Sequence, residues 1–245
     1  MRFRATVEYD GTDYFGFQRQ IPTQPTVQGE LEKAISAVAP NPVTITAAGR
    51  TDSGVHARGQ VISFELAWRH GEGALQRAIN ANLPPDIVIL DLEETAADFH
   101  PRYDAGRRAY EYHLYNAPLR SPLRRRRSWH VPHPLNVERM NEAAAHLVGA
   151  HDFATFGQPP QGESTVRQLF CARWRRQDPL LIFRIEGNAF LYRMVRSIVG
   201  SLKMVGEGSW SVREFVQAFQ AQERSRAGAT APPQGLYLIS VAYDE

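Results

Sequence analysis

The segment Gly49-Arg50-Thr51-Asp52-Ser53-Gly54-Val55-His56-Ala57-Arg58-Gly59 joins two apolar runs at residues 43–48 and 60–66. Short apolar runs bounded by turn residues predict strands, and Asp and Gly are ordinary turn formers. The segment therefore predicts two strands joined by a turn that carries the carboxylate of Asp52. Arg50, His56 and Arg58 flank that carboxylate, which indicates an acidic nucleophile or base in a site for a phosphate-bearing substrate.

The pattern around this turn, strand–helix–strand–strand, occurs twice along the chain. In the first half we predict strands at 2–9, 43–48, 60–66 and 87–92, with a helix capped by Thr26 and a short helix at 74–80. In the second half we predict strands at 108–115, 168–175, 180–185 and 236–241, with helices at 136–148 and 189–205 and one opened by the Ser211–Glu214 capping box. The prediction is an α+β fold of two βαββ halves, residues 1–103 and 104–245, forming one largely antiparallel central sheet with flanking helices.

Composition places the chain among ordinary globular proteins. It has 245 residues, of which 43% are hydrophobic and 22% charged. The single cysteine, Cys171, excludes an internal disulfide framework, a cysteine-rich zinc site and a CxxC redox pair. No apolar run approaches the roughly 20 residues that span a bilayer, and residues 1–8 do not resemble a signal peptide. We expect a soluble, cytoplasmic protein without a membrane association.

The charge is divided unevenly along the chain. Residues 1–100 carry five more acidic than basic side chains, and residues 101–245 carry seven more basic than acidic. Eight arginines lie between positions 102 and 127: Arg102, Arg107, Arg108, Arg120, Arg124, Arg125, Arg126 and Arg127. Such a cluster is typical of a nucleic-acid-binding surface, because phosphates attract dense arginine; the alternative is a solvated basic loop.

Two further segments carry candidate functional residues. On the strand at 108–115, Tyr110 and Tyr112 share a face and alternate with charged residues, which is typical either of a base-stacking platform or of a half-buried core. On the helix at 189–205, a stripe of Arg193, Arg196, Gly200 and Lys203 lies beside the apolar face. An arginine there could hold a partly buried carboxylate ionised, or the stripe could be an exposed basic face.

Several kinds of chemistry lack their usual motifs. The eight histidines show no HExxH or other metal-ligand spacing, and the chain contains no GxxxxGK[ST], GxGxxG or GxSxG motif. We therefore expect neither a metal nor a nucleotide cofactor. The pattern favours carboxylate chemistry on an RNA-like ligand.

With these residues assembled, the chain resembles the bacterial tRNA pseudouridine synthase A family over nearly its whole length. The matching segments are Tyr9-Asp10-Gly11-Thr12, Tyr14-Phe15-Gly16-Phe17-Gln18, residues 27–32, residues 49–57, Asn80-Ala81-Asn82-Leu83-Pro84, residues 98–103, Arg108-Ala109-Tyr110-Glu111-Tyr112, Asp152-Phe153, residues 190–200, and Ala231-Pro232 through Gly235-Leu236. So many segments in one order favour this family strongly over chance.

The resemblance implies the pseudouridine synthase fold and the isomerisation of uridine to pseudouridine at positions 38, 39 and 40 of the tRNA anticodon stem-loop. It implies that Asp52 is the catalytic carboxylate, that Tyr110 stacks on the flipped base and helps remove its C5 proton, and that Arg196 pairs with Asp52. Arg50 matches the arginine that enters the stem where the base was, and we expect Arg58 and His56 to contact the substrate. The resemblance also implies a cofactor-free homodimer.

Three points stay open at this level. The carboxylate of Asp52 could attack the anomeric carbon, add to the base, or act as a base towards a glycal. A non-catalytic RNA-binding module would need the arginines and tyrosines but not Asp52. A metal-dependent nuclease is the third reading.

Overall fold

The computed structural model describes residues 1–21, 23–159, 162 and 164–243. Two compact units are present: Met1–Gly106 together with Tyr237–Glu245, and Arg107–Leu236. The division predicted from sequence, at 103/104, differs in two respects: the boundary lies at 106/107, and the last strand belongs with the first unit. Its residues Tyr237 and Leu238 pair in parallel with His56 and Ala57, a contact between distant parts of the chain that local patterns do not report.

The first unit is a mostly antiparallel sheet with two helices. Its strands are β1 (Arg2–Tyr9), β2 (Thr46–Ala47), β3 (His56–Glu65), β4 (Ile87–Thr95) and the C-terminal β10 (Leu236–Tyr243), and its helices are α1 (Val27–Ala37) and α2 (Glu72–Asn80). Strand β1 lies between β3 and β4 and is antiparallel to both, and β2 is antiparallel to β3. As predicted, Thr26 caps α1, accepting a hydrogen bond from the Gly29 backbone N–H. The apolar stripe of that helix, with Leu31 and Ile35 fully buried, supplies much of the core.

The second unit repeats this construction with more helices. Its strands are β5 (Ala105–Asn116), β6 (Trp129–Val131), β7 (Gly149–Asp152), β8 (Val166–Gln177) and β9 (Leu180–Gly187), and its helices are α3 (Val137–Ala145), α4 (Met194–Gly206) and α5 (Val212–Gln220). Strands β5, β9, β8 and β7 pair in that order and are all antiparallel, while β6 runs parallel to β5. Helix α3 packs against β8, α4 and α5. The α+β class with mostly antiparallel strands is therefore confirmed.

One predicted helix boundary is wrong, and the difference bears on function. Helix α4 begins at Met194, five residues later than the hydrophobic pattern predicts. Tyr192 forms an isolated antiparallel bridge with Gln158, and its backbone N–H donates to the Gln158 carbonyl at 2.9 Å, which keeps this stretch extended. Arg193 then adopts the left-handed conformation, with φ of 60°. Arg193 therefore lies outside the helical stripe that was predicted to include it.

The short strands β6 and β7 were not predicted, because three or four residues are too few for an alternating pattern to stand out. No helix within the described residues is long and apolar enough to cross a membrane.

Candidate active site

Asp52 lies in a tight turn immediately before β3, in the first unit. The Val55 backbone N–H donates to the Asp52 carbonyl at 3.1 Å, and Gly54 supplies the positive φ of 76° within the turn. The strand begins at His56, so the turn is shorter than the predicted one. Asp52 itself is half-buried, between the buried Thr51 and the exposed Ser53. A carboxylate in this position is reachable from solvent while its backbone is fixed.

The loop after β1 holds the turn from one side. The Phe17 backbone N–H donates to the Thr51 carbonyl at 3.0 Å, and the Ser53 hydroxyl donates to the Tyr14 carbonyl at 3.0 Å. A Cβ on Gly16 would lie 2.9 Å from the Thr51 carbonyl oxygen, and Gly16 has a positive φ of 96°. Only glycine allows this approach, so Gly16 is part of what positions Asp52.

Buried polar side chains hold the turn from the sheet side. The Tyr9 hydroxyl lies 2.8 Å from Oγ1 of Thr51, and Gln60, which is fully buried, bonds both the backbone N–H and the carbonyl of Gly49. Both pairs anchor the turn to strands β1 and β3. Sequence reasoning missed these supporting residues, because their partners lie 11 or more positions away.

His56 is buried and has partners on two other segments of the first unit. Its side chain is only 1% exposed, with Nδ1 lying 2.9 Å from a carboxylate oxygen of Asp10 and 3.1 Å from the backbone nitrogen of Gly11. The imidazole also stacks on the Tyr237 ring, with centroids 4.7 Å apart. His56 thus joins the β1 loop, the Asp52 turn and β10, and its contact with substrate stays a prediction.

The two arginines that flank Asp52 are exposed. The Arg58 guanidinium lies 5.6 Å from the centroid of the Tyr237 ring, a cation–π arrangement that orients the side chain without neutralising it. Arg50 is held only through its backbone: the neighbouring Gly49 is fixed by Gln60, while the Arg50 side chain extends into solvent. Both charges are therefore available to a phosphate.

In the second unit, the structure separates the two tyrosines of β5. Tyr112 is fully buried and its hydroxyl donates to the Pro232 carbonyl at 2.8 Å. Burial raises its pKa well above the ordinary value, a shift that the charge of Arg196 partly opposes. Tyr110, on the same strand face, is only half-buried and meets Phe190 edge to face at 5.0 Å. Tyr112 is thus core and Tyr110 is the one that a base can reach.

Arg196 is half-buried on the first turns of α4. Its Nε donates to the Ala231 carbonyl at 2.8 Å, and its own carbonyl accepts from the Ala231 backbone N–H at 3.0 Å. The segment containing Ala231 is pressed onto the helix, since a Cβ on Gly200 would lie 1.7 Å from the Ala229 carbonyl oxygen. These contacts fix the plane of the Arg196 guanidinium.

Comparison with known proteins shows which family the chain belongs to. A family model described as tRNA pseudouridine synthase matches residues 5–104 and 143–244, which is most of the chain. The chain belongs to the tRNA pseudouridine synthase family. The family match covers the Asp52 turn, β1 with its loop, and helix α4; it does not cover residues 105–142, which include β5 and the arginine run.

Curated relatives extend the similarity to the full length. Proteins named tRNA pseudouridine synthase A from Pseudothermotoga lettingae, Rhizobium meliloti and a Geobacillus strain are 41%, 44% and 43% identical to this chain. Each alignment covers 99% of this chain and 98–99% of the relative. The resemblance identified from the motifs is therefore confirmed.

Two acidic side chains of the first unit, Asp10 and Asp86, accept hydrogen bonds from the loop after β1. Across the described ranges, no group of three or more His, Cys, Asp or Glu side chains is arranged to hold a metal ion. The carboxylates near Asp52 are engaged otherwise: Asp10 accepts from the Thr12 backbone and hydroxyl, and Asp86 accepts from the Tyr14 hydroxyl at 2.6 Å. Burial and the charge of Asp86 raise the pKa of Tyr14, so that hydroxyl stays protonated and acts as a donor.

Proposed function

We propose that Asp52 is the catalytic carboxylate with which this tRNA uridine isomerase makes pseudouridine in the anticodon stem-loop. Membership of the family establishes the reaction as the isomerisation of uridine to pseudouridine in tRNA. The observation that carries the assignment to Asp52 is the rigid turn, which holds a half-buried carboxylate between two exposed arginines.

The reaction places definite demands on this carboxylate. The bond between N1 of uracil and C1′ of the ribose breaks, a bond between C5 and C1′ forms, the C5 proton leaves, and N1 gains a proton. Product and substrate are isomers, so no oxidant, reductant or energy source enters the balance. Asp52 supplies the negative charge that each of the three possible first steps requires, whether it attacks C1′, adds to the base or removes a proton.

The target base must leave the helical stack before its glycosidic bond can be reached. Unstacking and unpairing cost a few kcal/mol, and least at a weakly paired stem end. We propose that Arg50 fills the position that the base vacates, and that Arg58 contacts the adjoining backbone. Both side chains are exposed and charged, as such contacts require.

We further propose that Arg196 pairs with Asp52 and that Tyr110 stacks on the flipped base and assists removal of the C5 proton. An unpaired carboxylate in a pocket that excludes water would take up a proton, and a guanidinium at its side prevents this. The fixed plane of Arg196 and the partial exposure of Tyr110 support these roles. We propose a cytoplasmic homodimer as the acting species, on the family resemblance alone.

The decisive experiment uses tRNA that carries tritium at C5 of uridine. Asp52→Asn keeps the size of the side chain and removes its charge, so we expect tritium release to fall to background while tRNA binding persists. Asp91→Asn is the matched control: it makes the same chemical change on an exposed residue of β4 in the same unit and should release tritium at the original rate.

The same measurement distinguishes the catalytic assignment of Asp52 from the competing interpretation. A non-catalytic RNA-binding module using the same sheet predicts that Asp52→Asn changes nothing. Release by Asp52→Asn at the rate of the unaltered protein would show that Asp52 is not the catalytic group.

A further inference from the structure

The second unit contains an open cavity of about 240 Å³ that the catalytic assignment does not use. It lies beside the end of β5 and the start of β6, and its walls include three arginines (Arg120, Arg124, Arg125) and three rings (Tyr115, Trp129, His130). None of the described residues that line it is acidic. The cavity is therefore positively charged without a neutralising partner in its own wall.

The arginine loop that forms one wall is firmly built. The Arg124 carbonyl accepts hydrogen bonds from the backbone N–H groups of Arg127 and Ser128, at 3.0 and 3.1 Å, and from the Ser128 hydroxyl at 3.1 Å. Ser128 is only 4% exposed. The loop thus presents its guanidinium groups from a fixed backbone.

The rings orient these charges. The Arg124 guanidinium lies 5.6 Å from the centroid of the Tyr115 ring, and Tyr115 in turn packs beside His130, 5.5 Å between centroids. Nε2 of His130 lies 2.8 Å from the Ala117 carbonyl oxygen, so the neutral ring carries its proton on Nε2. Its Nδ1 is then left as an acceptor. The wall therefore combines planar cations, aromatic faces and one ring acceptor.

We infer that this cavity binds one nucleotide of a polynucleotide chain, holding its phosphate on Arg120, Arg124 and Arg125. Clustered guanidinium groups match the oxygens of a phosphate, and guanidinium and aromatic planes both stack on bases. A volume of about 240 Å³ lies just below the ~300 Å³ of the smallest pockets for drug-sized ligands, which suits one nucleotide rather than a folded segment.

The structure also divides the arginine run that the sequence presents as one block. Arg124 and Arg125 line the cavity, whereas Arg126 and Arg127 do not and have other interactions. A solvated basic loop would make the four residues equivalent. The difference between the two pairs of arginines favours a discrete binding site. An acidic peptide is a less suitable ligand, because it would make no use of the aromatic rings and the ring acceptor in the cavity wall.

This inference rests on the proposed function to the extent that the polynucleotide is the tRNA substrate. The cavity would then hold a nucleotide of the tRNA other than the target uridine, and contribute to affinity rather than to the chemical step. A free mononucleotide carries the same phosphate and base, so the test must distinguish a nucleotide within tRNA from a free mononucleotide.

The test uses the intact protein and compares two double variants that each remove two positive charges. Arg120→Gln with Arg125→Gln alters the cavity, where both side chains project from an exposed loop whose backbone bonds remain. Arg139→Gln with Arg213→Gln alters exposed residues on α3 and α5 outside it. Calorimetric titration with cytidine 5′-monophosphate and with inorganic phosphate measures the cavity directly, and thermal unfolding checks that both variants are folded.

We expect the cavity variant to bind cytidine monophosphate and tRNA about tenfold or more weakly, because it cannot make the same hydrogen bonds to a charged phosphate. Its plot of log affinity for tRNA against log salt should become shallower by about one unit for each phosphate that is no longer bound, while the Arg139/Arg213 variant keeps the original slope. With saturating tRNA, tritium release should proceed at the original rate with a raised KM.

Three outcomes would overturn the inference. Equal weakening by both double variants would mean general electrostatic attraction only. Unchanged binding of cytidine monophosphate by the cavity variant would exclude a nucleotide site, and weakened mononucleotide binding with unchanged tRNA affinity would exclude the RNA as occupant. None of these depends on Asp52, so failure here and failure of the catalytic assignment are distinguishable.

Discussion

Tyr110 and Tyr112 show how two identical residues on one strand face can differ in burial. Tyr112 is completely buried with its hydroxyl bonded to Pro232, whereas Tyr110 is half-buried beside Phe190. The residue pattern alone did not distinguish the two tyrosines, and only the family resemblance singled out Tyr110. The difference arises from Gly235, where a Cβ would lie 2.6 Å from the Tyr112 ring, so the chain closes over Tyr112.

At the scale of the single residue, the substitution Tyr110→Phe tests the contribution of the hydroxyl group alone. The ring remains, so stacking and tRNA affinity should persist, while turnover measured by tritium release should fall if the hydroxyl assists proton removal.

Tyr112→Phe is the control for that variant. It leaves the half-buried Pro232 carbonyl without the Tyr112 hydroxyl, so the free energy of unfolding should fall by about 1 kcal/mol with the chemical step unaffected. Unchanged turnover in Tyr110→Phe would restrict Tyr110 to stacking.

At the scale of the element, the β1 loop and the Asp52 turn act as one structure. Gly16 makes this possible, because its φ of 96° and its 2.9 Å approach to the Thr51 carbonyl both require the absence of a side chain. The carboxylate of Asp52, which we propose to be catalytic, is therefore positioned by a residue more than thirty positions earlier in the chain.

Gly16→Ala should lower both stability and turnover. A side chain at such a φ costs about 1–3 kcal/mol, and the contact with Thr51 would also displace the Asp52 turn. Gly71→Ala is the matched control, since Gly71 has a φ of 76° but no atom within 4 Å of the new Cβ. Urea unfolding should show a loss for both variants, and kcat a loss for Gly16→Ala only; normal turnover in Gly16→Ala would contradict the positioning role.

The elements also show what the sequence could and could not predict. The starts of α1 and α5 were predicted correctly because their caps, Thr26 and the Ser211–Glu214 capping box, are local signals. The start of α4 was predicted wrongly because Tyr192 bridges to Gln158, a partner 34 positions away. His56 was predicted to contact substrate because its neighbours in sequence are site residues, while its burial depends on Tyr237 near the end of the chain.

At the scale of the whole molecule, each unit carries part of the proposed catalytic set. The first unit supplies Asp52 with Arg50 and Arg58, and the second supplies Tyr110, Arg196 and the basic cavity. The split matches the charge distribution, acidic before residue 100 and basic after it. Neither unit alone contains the full set, so we expect neither to isomerise uridine separately.

The whole reaction should proceed without a divalent cation, because an isomerisation needs neither an electron acceptor nor a phosphoryl donor. Pseudouridine formation should therefore keep its full rate in excess chelator, with spermidine present to hold the tRNA fold. Parallel electrophoresis should show intact RNA. Loss of activity that a divalent cation restores, or cleavage of the RNA, would favour the metal-dependent nuclease instead.

The return of β10 to the first unit has a consequence for biosynthesis. During translation, the residues around Asp52 emerge early, but the strand that pairs with His56 and Ala57 emerges only after nearly all of the second unit. Gly59 also packs closely against this strand, since a Cβ on Gly59 would lie 2.3 Å from the Ile239 carbonyl oxygen. The sheet of the first unit therefore stays incomplete until Tyr237 and Leu238 have left the ribosome, and we expect a chain that ends before Tyr237 to lack the pairing that holds His56 and Ala57.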